Sequence, residues 1–168
     1  MKLRTPAAMT RAVRCLCRRV NVHYLPVYVP VRPYPSARKN DPCCNVNHYC
    51  EMYGGTAHFG WSIRELPDMY LEASIWAVWC GPAGDLLDVT PMGNGRQHIL
   101  FLPDAKRSWS GEPIDPVRLP LVDNKFTRFW MALERKKHEL RQRHFQNGRI
   151  DEAAFASDYM AYLDSLAE

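Results

Sequence analysis

The chain lacks the short motifs that most directly announce a chemistry. It has no phosphate-binding loop and no Gly-x-Gly-x-x-Gly fingerprint, so nucleotide chemistry has no motif support. Gly-x-Ser-x-Gly and His-Glu-x-x-His are absent too, which removes the usual signs of a serine hydrolase or a zinc protease. No apolar run approaches the roughly 18–20 residues needed to span a bilayer, and no apolar stretch with a small-residue cleavage site follows the first arginines. A soluble, intracellular, cytoplasmic protein is therefore expected. The six cysteines (Cys15, Cys17, Cys43, Cys44, Cys50, Cys80) contain no Cys-x-x-Cys pair and match no disulfide framework. Reduced thiols are expected, with no metal and no cofactor.

Acid is missing from the front of the chain. Residues 1–40 hold nine Lys or Arg and no Asp or Glu, while the remaining thirteen basic and eighteen acidic residues give −5, so the net +4 is +9 followed by −5. Arg4, Arg11, Arg14, Arg18 and Arg19 suit either a phosphate-binding or targeting segment or a frayed basic terminus. With 168 residues, 46% of them hydrophobic, the chain can bury one proper core, so one domain with extensions is expected.

Residues 20–34 alternate Val and Tyr with other residues but include prolines that remove backbone donors, which describes an edge strand or extended arm. Asn40-Asp41-Pro42 reads as a helix start, with Asp41 able to cap free N–H groups and Pro42 suited to the first helical position. Val46, Cys50 and Tyr53 follow Cys43 on one face, and Gly54-Gly55 ends the helix. Thr56–Arg64, Tyr70–Trp79, Asp85–Val89 and Gln97–Leu102 have strand character and are separated by Pro67-Asp68, Gly81-Pro82 with Gly84, and Met92–Gly95. Residues 105–120 read as a Pro-rich loop. Phe126, Phe129, Trp130, Leu133 and Leu140 recur at helical spacing, Asn147-Gly148 is the stop, and a second helix follows Asp151. The expected organisation is a basic extension with an edge strand (1–40), a core (41–104), the loop (105–120) and a terminal helical hairpin (121–168). The fold class is α+β: a cysteine-bearing helix packed on a four-to-five-stranded antiparallel sheet.

Six short motifs occur in a fixed order: Asn45-Val46, Gly54-Gly55, Gly60-Trp61-Ser62-Ile63, Trp76-Ala77-Val78-Trp79, Asp88-Val89-Thr90-Pro91 and Phe101-Leu102-Pro103-Asp104. From Asp41 to Asp104 the chain resembles the papain-like and transglutaminase-like superfamily, and more closely a bacterial and phage family of small domains with Cys-x-x-Asn-Val, Gly-Gly, Gly-Trp-x-Ile, His-Ala-Val-Trp, Asp-Val-Thr-Pro and Phe-Leu-Pro-Asp motifs. That resemblance implies a cysteine at a helix start, where the dipole favours thiolate, an imidazole to shuttle its proton, and an acid to orient the imidazole. Two departures fall at the reactive positions. Pro42 stands three residues before Asn45, so the cysteine is displaced to Cys43 or Cys44, and Trp76 stands where the histidine would be. An indole N–H only donates and cannot act as a base.

The resemblance makes Cys43 the candidate nucleophile, with a lowered pKa, and Asp88 the candidate orienting acid, although an Asp before Thr-Pro is as readily a turn cap. His58 is the candidate substitute base, sharing a strand face with Thr56, Gly60 and Ser62; an idle strand histidine fits the same pattern. His48 and His98 are weaker alternatives. Glu72 shares a face with Ser74 and Trp76 and can offer a carboxylate there, or be a surface glutamate. Trp61, Trp76 and Trp79 are core or rim aromatics, or a stacking platform. In the run 135–144, Arg135, Lys136, Lys137 and Arg141 can meet nucleic-acid phosphates or simply form a solvated helix face. The two functions these residues allow are a cysteine-dependent hydrolase or acyl-transfer domain acting on an amide or thioester, and an inactive copy of the fold that binds a protein or peptide, as an inhibitor module of a phage or mobile element would.

Overall fold

A computed structural model describes residues 2–92, 95–108 and 112–166. It divides into two compact units, Met1–Ser108 with Pro116–Val122, and Trp109–Asp115 with Asp123–Glu168. Among the described residues, no helix is long and apolar enough to cross a membrane. Gly93 and Asn94 of the expected 92–95 turn, and 109–111 of the expected loop, lie outside the described residues.

The first unit is built on a hairpin of two long strands, β2 (Thr56–Leu66) and β3 (Tyr70–Cys80), paired antiparallel along their whole length. Their turn is short, with Met69 N–H donating to Leu66 C=O at 3.1 Å and Asp68 in the left-handed region at φ 60°, a conformation Asp tolerates. The other strands are β1 (Val27–Pro30), β4 (Leu86–Leu87), β5 (His98–Pro103) and β6 (Val117–Pro120). The order is β1-β5-β2-β3-β4, all antiparallel, with β6 on the far end of β3. The α+β class and the antiparallel sheet match the sequence expectation.

The sheet then closes on itself. Val31 and Asp88 form a parallel bridge, with Asp88 N–H donating to Pro30 C=O and Arg32 N–H donating to Asp88 C=O, both at 2.9 Å. This joins the end of β1 to the end of β4, and strand alternation explains what lies inside. Val29, Ile99, Phe101, Trp76 and Val78 form one buried cluster, with Val31, Leu86 and Met92 packed against it. Gly60, opposite Trp76, has no room for a side chain: a Cβ there would lie 2.8 Å from Phe101 Cζ and collide with the Leu102 carbonyl.

Two helices pack on this sheet. α2 (Pro42–Tyr53) begins with Pro42, as expected, and buries Cys43, Asn45 and Val46. Asp41 does not cap it: its side chain makes no capping bond, and its carboxylate accepts from the Cys44 thiol instead. The helix ends where Gly54 N–H donates to Cys50 C=O at 2.8 Å. The basic front of the chain, for which a frayed terminus was one expectation, holds an ordered helix, α1 (Arg11–Val20). Thr10 caps it through Oγ1 to Val13 N–H at 3.2 Å, and Val13, Leu16 and Cys17 are buried as it packs on β3 and β6. The Pro-rich segment is likewise not all loop, because β6 forms at its end with register Glu72↔Arg118.

The second unit contains α3 (Lys125–Arg143), capped by Asn124 Oδ1 to Thr127 N–H at 2.7 Å, and α4 (Glu152–Ser165), capped by Asp151. The expected helical hairpin is present, but Asn147-Gly148 is more than a stop. It turns a small ribbon, β7 (Phe145–Gln146) with β8 (Arg149–Ile150), and both turn residues have positive φ, 51° and 77°.

Candidate functional site

Four polar residues from the sequence motifs meet inside the first unit. Trp76 Nε1–H donates to Asp88 Oδ2 at 3.2 Å, Thr90 N–H donates to Asp88 Oδ1 at 2.9 Å, and Asn45 Nδ2–H donates to Thr90 Oγ1 at 3.3 Å. A chain of hydrogen bonds thus runs from the first turn of α2 to the middle of β3. Asn45 also exchanges two 2.7 Å bonds with the backbone of Arg38, pinning the segment that enters α2. Asp88 is fully buried. Burial pushes its pKa up to about 6, against the opposing pull of the Thr90 and Trp76 donors and the Arg96 charge.

Asn45 and Thr90 did not stand out in the sequence as site residues. Both are small polar residues in motifs flanked by apolar neighbours, Asn45-Val46 and Val89-Thr90-Pro91, and buried polar side chains require partners. That was the available signal.

The structure brings Trp76 and Asp88 together, and the indole, which can only donate, brings no base to the pair. Asp88 caps the Thr90 N–H, as the turn reading had it, and also accepts from Trp76.

The candidate nucleophile behaves contrary to expectation. Cys43 is only 3% exposed, and burial, reinforced by Asp41 and Cys44, pushes its thiol up to about 12 rather than below the ordinary value. Desolvation outweighs the helix terminus, because the side chain points into the packed face of α2. Cys44 is exposed, and its pKa is raised by burial and by the hydrogen bond to Asp41. His58 is exposed on β2 opposite Val78, in a cavity of about 350 Å³ lined also by Tyr24, Phe59, Asp104 and Arg107. His48 is exposed and lies 3.5 Å from Glu51, and His98 is exposed at the start of β5. No hydrogen bond joins His48, His58 or His98 to a thiol among the described residues. Among those residues there is also no cluster of three His, Cys, Asp or Glu able to hold a metal.

The candidate binding residues separate into three environments. Trp61 is buried, donates from Nε1 to Asp104 Oδ2 at 3.0 Å and carries the Arg107 guanidinium 5.0 Å from its ring centroid, so its face is already occupied. Glu72 is not a surface glutamate. It is buried against Arg64 at 2.7 Å, Arg118 at 3.0 Å and Ser74 at 3.0 Å, because β2 and β6 place both arginines directly across from it. Trp79 donates to Gly54 C=O at 2.8 Å and meets Tyr49 edge-on at 5.4 Å. Tyr34, Tyr49 and Tyr53 continue this group, with centroids 5.4 and 4.5 Å apart, and Tyr53 is 61% exposed. Gly55 is fitted to it, since a Cβ there would stand 2.5 Å from Trp79 Nε1.

The basic run of α3 is largely engaged within its own unit. Lys136 lies over Tyr162 at 5.8 Å, Lys137 over Tyr159 at 5.9 Å and Arg141 over Phe155 at 5.2 Å. These cations pack α4 against α3, leaving Arg135 as the member of the proposed nucleic-acid set with no such contact described. No protein family, no curated protein and no solved structure matches this chain.

Proposed function

We propose that this chain is a catalytically silent domain of the papain-like and transglutaminase-like kind, used as a binding module for a protein or peptide. The observation that carries the reading is the Trp76–Asp88 bond, in which a donor-only indole fills the place of the base and engages the orienting acid. A base elsewhere has no support from the surroundings of Cys43, whose burial raises its pKa and disfavours the thiolate at neutral pH. The aromatic group shared by α2 and β3, half-buried except for exposed Tyr53, supports the binding half, because Tyr and Trp provide large contact area at little entropic cost and are enriched in protein interfaces.

Turnover of an activated thioester and site-resolved alkylation at neutral pH provide the test. Wild type and Cys43→Ser are expected to give the same background turnover, and Cys43 is expected to alkylate more slowly than exposed Cys15. Turnover abolished by Cys43→Ser, with the fold intact by circular dichroism, would establish an enzyme and overturn the proposal.

A further inference from the structure

The outer face of α1 is a cationic surface that the core does not use. Arg11, Arg14, Arg18 and Arg19 are all exposed, and the three buried residues Val13, Leu16 and Cys17 lie on the opposite side of the helix. At about 100° per residue the arginines span one sector, and Arg11 to Arg18 covers about 10 Å of helix axis. Arg14 donates from Nη1 to the Met9 carbonyl. No hydrogen bond or ion pair is described for Arg11, Arg18 or Arg19, and no acid occurs in residues 1–40 to neutralise them.

We propose that this helix face docks on the phosphate backbone of a duplex nucleic acid, without reading its sequence. The proposal is independent of the binding-module reading and concerns a different surface. Charge complementarity sets the partner's sign, and the guanidinium fork suits phosphate oxygens. A membrane fits less well, because an interfacial helix must insert its apolar face, and here that face is buried in the protein. An acidic protein fits less well because stable protein interfaces centre on desolvated apolar or aromatic anchors, and none of the large exposed hydrophobic residues lies in α1. Phosphate contacts need no such anchor.

The experiment is fluorescence anisotropy of a labelled random-sequence duplex against the full chain over a salt series, with phosphatidylserine vesicles and polyglutamate as parallel ligands. Four phosphate contacts would weaken binding about 100-fold between about 50 and 200 mM salt. The Arg11→Gln/Arg14→Gln/Arg18→Gln/Arg19→Gln variant is expected to lose most of that salt slope. Because Arg14 also closes on Met9, the triple variant that keeps Arg14 serves as the folding-safe version and is expected to reduce the slope by about 0.9 for each arginine removed. Duplex binding unchanged in the triple variant overturns the proposal. So does wild-type binding to vesicles or to polyglutamate that equals or exceeds binding to the duplex.

Discussion

Glu72 and Asp88 are both buried carboxylates of the first unit, held by different chemistry. Glu72 lies between two guanidinium groups, at 2.7 Å from Arg64 and 3.0 Å from Arg118, whereas Asp88 is met by an indole N–H and a peptide N–H. The first arrangement pairs opposite charges. The second uses neutral donors, and burial leaves the acid titrating near neutrality, at about 6. Removing the charge should therefore damage one site and relieve the other.

The largest expected effect is at Glu72. Glu72→Gln keeps the shape but takes the shared counter-charge from two guanidinium groups, and breaking a buried ion pair from one side costs about 3–5 kcal/mol. A urea unfolding midpoint at neutral pH measures this. A loss of less than about 1 kcal/mol would mean that water screens the cluster far more than its burial indicates.

Asp88 gives the next effect, visible in pH dependence. Its folded pKa of about 6 exceeds the roughly 3.9 of an unfolded Asp, so between those values the folded chain holds more protons. The contribution of Asp88 is greatest below about pH 4 and is lost as pH rises through about 6, a change of about 3 kcal/mol. Asp88→Asn should remove this slope, seen by comparing melting temperatures of variant and wild type from about pH 4 to 7. At neutral pH the variant should lie within about 1 kcal/mol of wild type, since relief of the buried charge opposes the loss of one acceptor, Asn offering an NH₂ to one of the two donors. Equal damage at neutral pH from Glu72→Gln and Asp88→Asn would erase the contrast.

The smallest effect tests the same contrast at the surface of the second unit. Arg141 is exposed over Phe155, so Arg141→Gln is expected to cost about 0.5–1 kcal/mol by thermal unfolding.

Residue pattern made much of this fold legible, and pairing explains most of what was missed. β2, β3 and β5 show as largely apolar runs between turn residues, while Pro42 and Gly54 mark the ends of α2. α1 escaped because only Val13, Leu16 and Cys17 face inward among four arginines, and the helical signal was read as charge. β6 escaped because Pro116 precedes it and Pro120 is its last residue. At the site, Trp76 and Asp88 were readable from motif order, but the arginines on Glu72 belong to strands whose register no single segment encodes. The pKa direction at Cys43 was misjudged for a related reason: helix position is local, whereas desolvation depends on everything packed around the thiol.

Asp88 has a second task besides holding Trp76. Its own amide and carbonyl make the two bonds that seal β1 to β4, so one residue serves the interior through its side chain and the seam through its backbone. Amide hydrogen exchange at Asp88 and at Arg32 should then share one opening event, and that event should expose the indole N–H of Trp76 as well. The ring cannot part at this joint without loosening its largest interior side chain, which makes the seam a fuse for the whole unit and not a hinge.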